Sequence, residues 1–86
     1  MYSVRYDQRV EKDLHHLPKE VITRALDRIE SVLGLDPLAG KKLEYRGREL
    51  YSYRVRDYRI IYAADAKKKE ITVFRIRHRK EVYRNL

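Results

Sequence analysis

The chain has no cysteine and no tryptophan, only two prolines, three glycines and a single phenylalanine among its 86 residues. Without cysteine there are no disulfides, no zinc–thiolate sites and no thiol nucleophile. No apolar run approaches the ~20 residues that a membrane-spanning helix needs. The N-terminal MYSVRYDQ lacks the apolar stretch of a secretory signal. A cytoplasmic location, with no membrane partner, is therefore expected. Acidic residues are also scarce, 13 against 21 lysines and arginines. No carboxylate cluster stands out, and the adjacent His15 and His16 point in different directions on a helix. Acid-protease, glycosidase and metal-hydrolase chemistry finds no support. Neither a metal nor an organic cofactor is expected. No repeats, low-complexity stretches or linkers interrupt the chain, and its length suits one domain.

What is present is positive charge. The formal net charge is +8 and the sequence pI about 9.9. A basic balance of this size is the electrostatic footprint of a nucleic-acid binder; lysines that only aid solubility are the bland alternative. Eight tyrosines stand beside the lone Phe74. Tyrosine fills a core with its ring and keeps a hydroxyl for a polar edge.

The residue pattern predicts the order β-αα-ββββ. YSVRY (2–6) alternates as a short strand, and Asp7 suits the N-cap of a helix. Val10, Leu14 and Leu17 recur on one helical face. Leu17-Pro18 ends that helix, and Pro18 suits the first turn of the next. Val21, Ile22, Ala25, Leu26, Ile29, Val32 and Leu33 form a wide apolar stripe that Gly34 should terminate. After Gly40 the period changes. KKLEY (41–45), LYSYRVR (50–56), YRIIYAA (58–64) and ITVFRI (71–76) read as strands. Turns fall at Arg46-Gly47-Arg48, at Asp57 and over Asp65 to Glu70. YRIIYAA is apolar at nearly every position, as a central strand covered on both faces would be. The expected fold is α+β: an N-terminal strand and αα-hairpin packed on one face of a small antiparallel sheet, with a short C-terminal helix or tail.

The cations are not evenly spread. Lys41, Lys42, Arg46, Arg48, Arg54, Arg56 and Arg59 fall within residues 41–59, and RIRHRKEVYR (75–84) carries five more fixed positive charges. Arg54 with Arg56, and Arg75 with Arg77, should each share a strand face by period-two alternation. With Arg59 they would gather near one end of a three-strand meander. Arginine grips phosphate bidentately, and neighbouring tyrosines stack on unpaired bases. Arg59 interrupts an apolar strand, so it needs an anionic partner, either Asp57 or an external anion. Arginine cannot act as a base, but it stabilises charge developing on a phosphorane when the 2′-hydroxyl of RNA attacks its own phosphate. Tyr83 and His78 are the candidates for moving the proton.

Two segments, GKKLEYRGRELYSYRVRDYRIIY (40–62) and ITVFRIRHRKEVYR (71–84), together with the upstream αα-hairpin, resemble the RelE/ParE superfamily over nearly the whole chain. The resemblance implies a single RelE-like domain over residues 1–86 and a toxin of a type II toxin–antitoxin pair. Its RelE-like branch cleaves messenger RNA in the ribosomal A site, without a metal, through 2′-hydroxyl attack. By position, Arg59 matches the arginine on the scissile phosphate. Arg54 takes a basic strand position, Tyr83 matches the C-terminal tyrosine, and Arg79, with Arg77 as the other possibility, matches the arginine near the leaving group. Lys41, Lys42, Arg46, Arg48, Arg56, Arg75, Arg77 and His78 are the further candidate RNA contacts. The archetype's two strand lysines are here Ser52 and Arg54, which leaves Tyr83, His78 or solvent to receive the proton. The implied partners are an acidic RelB-like antitoxin, messenger RNA on the ribosome, and operator DNA only through the antitoxin complex. Two alternatives share this fold: a ParE-like poison of DNA gyrase, and a non-enzymatic module that binds only antitoxin and DNA.

Overall fold

Asp7 opens the helical half of the chain. Its backbone is extended (φ −67°, ψ 150°), and its carboxylate accepts the Arg9 backbone N–H at 2.9 Å. That bond satisfies one of the donors a helix start leaves free. The structure, a computed structural model, describes residues 1–82. Strand β1 (Ser3–Tyr6) runs into α1 (Gln8–Leu14) and then α2 (Lys19–Arg28). Pro18 is the N-cap of α2 rather than its first helical residue: its ψ of 147° is extended. Its carbonyl accepts the N–H groups of Val21 and Ile22 at 3.0 and 3.1 Å. The α2 stripe continues through a π-helical segment, Ile29–Leu33. Gly34 ends it in a right-handed conformation, where an added Cβ would stand 2.9 Å from the Glu30 carbonyl oxygen.

The meander is built of β2 (Lys41–Tyr45), β3 (Arg48–Val55), β4 (Tyr58–Asp65) and β5 (Glu70–His78). The sheet order is β1-β5-β4-β3-β2. The meander β2 to β5 is antiparallel, as expected. Strand β1 corrects the rest of that expectation: it does not lie on a sheet face but joins the edge, parallel to β5, with Ser3 opposite Glu70 and Tyr6 opposite Val73. Parallel neighbours need a long crossover, and here the helices and the whole meander supply it. Residues 79–82 form turns. The remainder of the expected C-terminal helix or tail lies outside the described residues.

Strand β4 is covered on both faces. Ile60 and Tyr62 point into the main core with Val10, Ala25, Ile29, Leu33, Val55, Ile71, Val73 and Ile76. Ile61 points the other way, into a smaller cluster with Leu50 and Val82 that Leu43, Tyr45, Ala63 and Phe74 flank. Tyr62 is fully buried, but its hydroxyl donates to the Pro37 carbonyl at 2.8 Å and accepts the Gly40 N–H at 3.0 Å. It thereby ties the α-to-β loop to the sheet. Glycine is required at position 40, because a Cβ there would stand 2.6 Å from the Tyr62 hydroxyl.

Strand β1 covers the outer edge of β5 only as far as Val73. Beyond it, the buried Asp13 of α1 accepts the Ile76 N–H at 3.1 Å. A helix side chain thus satisfies a sheet edge that would otherwise be open to pairing. Among the described residues no helix is long and apolar enough to cross a membrane.

Candidate nucleic-acid interface

Three arginines stand in a row across the sheet. Arg54 of β3 is directly opposite Arg59 of β4, and Arg59 is directly opposite Arg77 of β5. Opposed residues share a face, with Cβ atoms roughly 5 Å apart. Alternation from Ile60 puts the row on the side of Ile61, away from the helices. Lys41, opposite Ser52, lies on that same face. Like charges set opposite one another destabilise a sheet, so the row is a cost the fold carries.

The three arginines are held differently. Arg54 is exposed and donates from Nε to the Arg56 carbonyl at 2.8 Å. Arg77 pairs with the exposed Glu81 at 3.3 Å. Arg59 is half-buried and donates from Nη1 to the Ser52 hydroxyl at 3.2 Å. Among the described residues no carboxylate forms an ion pair with Arg54 or Arg59, Asp57 included. A partly desolvated cation with only a neutral partner favours binding an external anion. Arg77 also borders a depression of about 540 Å³, together with Leu17, Tyr58, His78 and Glu81.

The other expected contacts divide. Arg56 does not share a face with Arg54: β3 ends at Val55, and Arg56 sits in the turn at φ 55° with its guanidinium 3.8 Å from Glu20 of α2. Arg75 is drawn off to the buried Asp13, to which it donates at 2.8 and 2.9 Å. That pairing raises the Arg75 pKa, through its hydrogen bonds to Asp13 first. The pairing ties Arg75 to α1 and draws it away from the arginine row. Lys42 lies opposite Tyr51 on the helix side and pairs with Glu49 at 3.2 Å; hydrogen bonding to Glu49 raises its pKa.

His78 faces the helix side too. It stands opposite Tyr58, ring to ring edge-on at 5.3 Å, and its Nδ1 accepts the Lys80 N–H at 3.1 Å. It does not join the arginine row. Arg46 and Arg48 occupy the far end of the meander, over the rings of Tyr45 at 5.3 Å and Phe74 at 4.8 Å. Arg48 is ~20 Å along β3 from Arg54 by strand rise. Arg79 is exposed, and its backbone N–H bonds the Asp57 carbonyl at 2.7 Å, which pins the turn after β5 to the β3–β4 turn. Tyr83 lies outside the described residues. Ser52, which the resemblance sets at one of the archetype's lysine positions and which is not counted among the candidate contacts, lies two residues from Arg54 on the same face and accepts from Arg59.

Known proteins share both sequence and shape. The family model described as the ParE toxin of the parDE type II toxin–antitoxin system matches residues 4–83. Toxin RelG of Mycobacterium tuberculosis is 30% identical over 84 residues, which cover 96% of this chain and 97% of that protein. A RelBE toxin–antitoxin complex of M. tuberculosis superposes with a TM-score of 0.81 at 28% identity, over 90% of this chain and 96% of that one. The archaeal RelE–RelB complex of Pyrococcus horikoshii gives 0.75 at 32% identity, over 93% and 97%.

Proposed function

The chain belongs to the ParE toxin family of the RelE/ParE superfamily, toxins of type II toxin–antitoxin systems, and on that premise we propose that it is a metal-independent endoribonuclease that cuts messenger RNA on the ribosome and so stops translation. The observation that carries this reading is Arg59: half-buried, flanked by Arg54 and Arg77, and held by a hydroxyl instead of a carboxylate. Such a group is suited to a phosphate whose charge grows during reaction.

RNA brings its own nucleophile. The 2′-oxygen attacks the adjacent phosphorus, the bond to the 5′-oxygen breaks, and the products are a 2′,3′-cyclic phosphate and a 5′-hydroxyl. Arg59 and Arg77 neutralise the non-bridging oxygens, with Arg54 at the row's exposed end. Arg79 donates a hydrogen bond to the leaving 5′-oxygen, which takes its proton from solvent. Arginine takes no proton at neutral pH, so the 2′-hydroxyl proton passes to Tyr83 or to solvent. His78, on the opposite side of the sheet with its Nδ1 engaged, is set aside as a base. Lys41, Arg46 and Arg48 extend the contact to flanking nucleotides. An acidic, RelB-like antitoxin is the expected cellular partner, in keeping with the RelE–RelB complex of the archaeal relative, and operator DNA is reached only through that complex.

The matching family model carries the ParE name, which favours a second reading, a poison of DNA gyrase. Translation in a cell-free extract with primer extension on the message decides between them. Cleavage at codons, lost by more than about a hundredfold in Arg59→Ala, supports the nuclease. Uncut message with blocked gyrase supercoiling supports the second reading.

A further inference from the structure

We infer that Ser52 is the positioning residue of the anion site: its buried hydroxyl fixes the Arg59 guanidinium against the sheet while leaving its charge for the ligand. This rests on the reading of the arginine row as the seat of a scissile phosphate.

The molecule supplies its own controls. Two arginines outside the row are held by carboxylates: Arg56 by Glu20 at 3.8 Å and Arg75 by Asp13 at 2.8 Å. A carboxylate partner already cancels much of the cation's field before a ligand arrives. Arg59 instead donates to a neutral oxygen. A hydroxyl orients the planar guanidinium by accepting one N–H, and four of its five donors stay available to a phosphate.

Ser52 is only 4% exposed, unusually deep for a serine, and it lies on the same face of β3 as Leu50 of the second core. A buried hydroxyl is costly unless hydrogen-bonded. The bond to Arg59 therefore holds both side chains in place. The register accounts for the geometry: Ser52 is opposite Ile61 and Arg54 is opposite Arg59, so Ser52 and Arg59 are diagonal neighbours on one face.

The test uses the full chain and three variants, Ser52→Ala, Ser52→Thr and Ser52→Asp. Inorganic phosphate is titrated in while the arginine Nε–H resonances are followed, and single-turnover cleavage is measured on programmed ribosomes. Ser52→Ala is expected to weaken phosphate binding and slow cleavage by about tenfold each, the size expected for one hydrogen bond to a charged group. Ser52→Thr should stay within about twofold of the parent in both. Ser52→Asp should bind no phosphate and cut nothing, because its carboxylate takes up the Arg59 charge. The inference is overturned if the parent binds no phosphate, if Ser52→Ala matches the parent, or if alanine and threonine fail equally. Should the parent leave messages uncut while the phosphate series keeps its order, the endoribonuclease reading falls and the role of Ser52 in an anion site stands.

Discussion

Asp13 and Arg75, 62 positions apart in the chain, are joined by two hydrogen bonds at 2.8 and 2.9 Å across the edge of the sheet. The pair is 6% and 12% exposed at its side chains. Breaking one partner of such a pair leaves a desolvated charge behind. Asp13→Asn is expected to lower unfolding stability by about 3 kcal/mol, read by urea titration, with the arginine row otherwise unaltered.

The row itself costs stability, and on the proposed function that cost is offset by phosphate binding. Arg54→Thr removes a cation directly opposite Arg59 and installs a β-branched residue on a strand. It is expected to raise stability by about 0.5 kcal/mol while lowering message cleavage at least severalfold. Added salt should raise the melting temperature of the parent more than that of the variant, because screening relieves the same repulsion. A variant that gains stability and keeps full cleavage would remove Arg54 from the site.

Tyr62 governs the alkaline limit. Burial pushes its phenol up to about 12, whereas an unfolded tyrosine ionises near ~10. Between those values the unfolded chain holds fewer protons than the folded one, so stability falls as pH rises through that window. Tyr62→Phe is expected to flatten this decline. At neutral pH it should cost about 2 kcal/mol, since the Gly40 N–H and the Pro37 carbonyl both lose their partner.

Asp7 governs the acid side of the helical half. The backbone N–H of Arg9, foremost, holds its carboxyl below the usual carboxylate value. Its contribution is therefore complete above the unfolded value of ~3.9 and is lost as pH falls through the lower folded value. Asp7→Ala should cost about 1 kcal/mol at neutral pH and progressively less as the pH falls below ~3.9, as measured by thermal unfolding across that range.

Much of this architecture was legible in the sequence. Alternation gave KKLEY its limits as β2, the both-faces-apolar pattern marked β4 as central, and Asp7 announced its helix. Local patterns also grouped five arginines, Arg54, Arg56, Arg59, Arg75 and Arg77, of which the register lines up Arg54, Arg59 and Arg77. They failed where a long-range partner decides: nothing near Arg75 foretells Asp13. They failed again where a strand stops, because Arg56 keeps the period of β3 on paper but enters the turn at φ 55°. The parallel pairing of β1 with β5 depends on crossover geometry and not on either strand's composition.

Val82 has no accessible surface and sits against Leu50 and Ile61 on the face that bears the arginines. The turn after β5 thus closes the same wall that carries the arginine row. Drawing Val82 out of it would open Leu50 and Ile61 to water and displace the neighbouring Arg79, so hydrocarbon packing and the placement of charge are linked on this face.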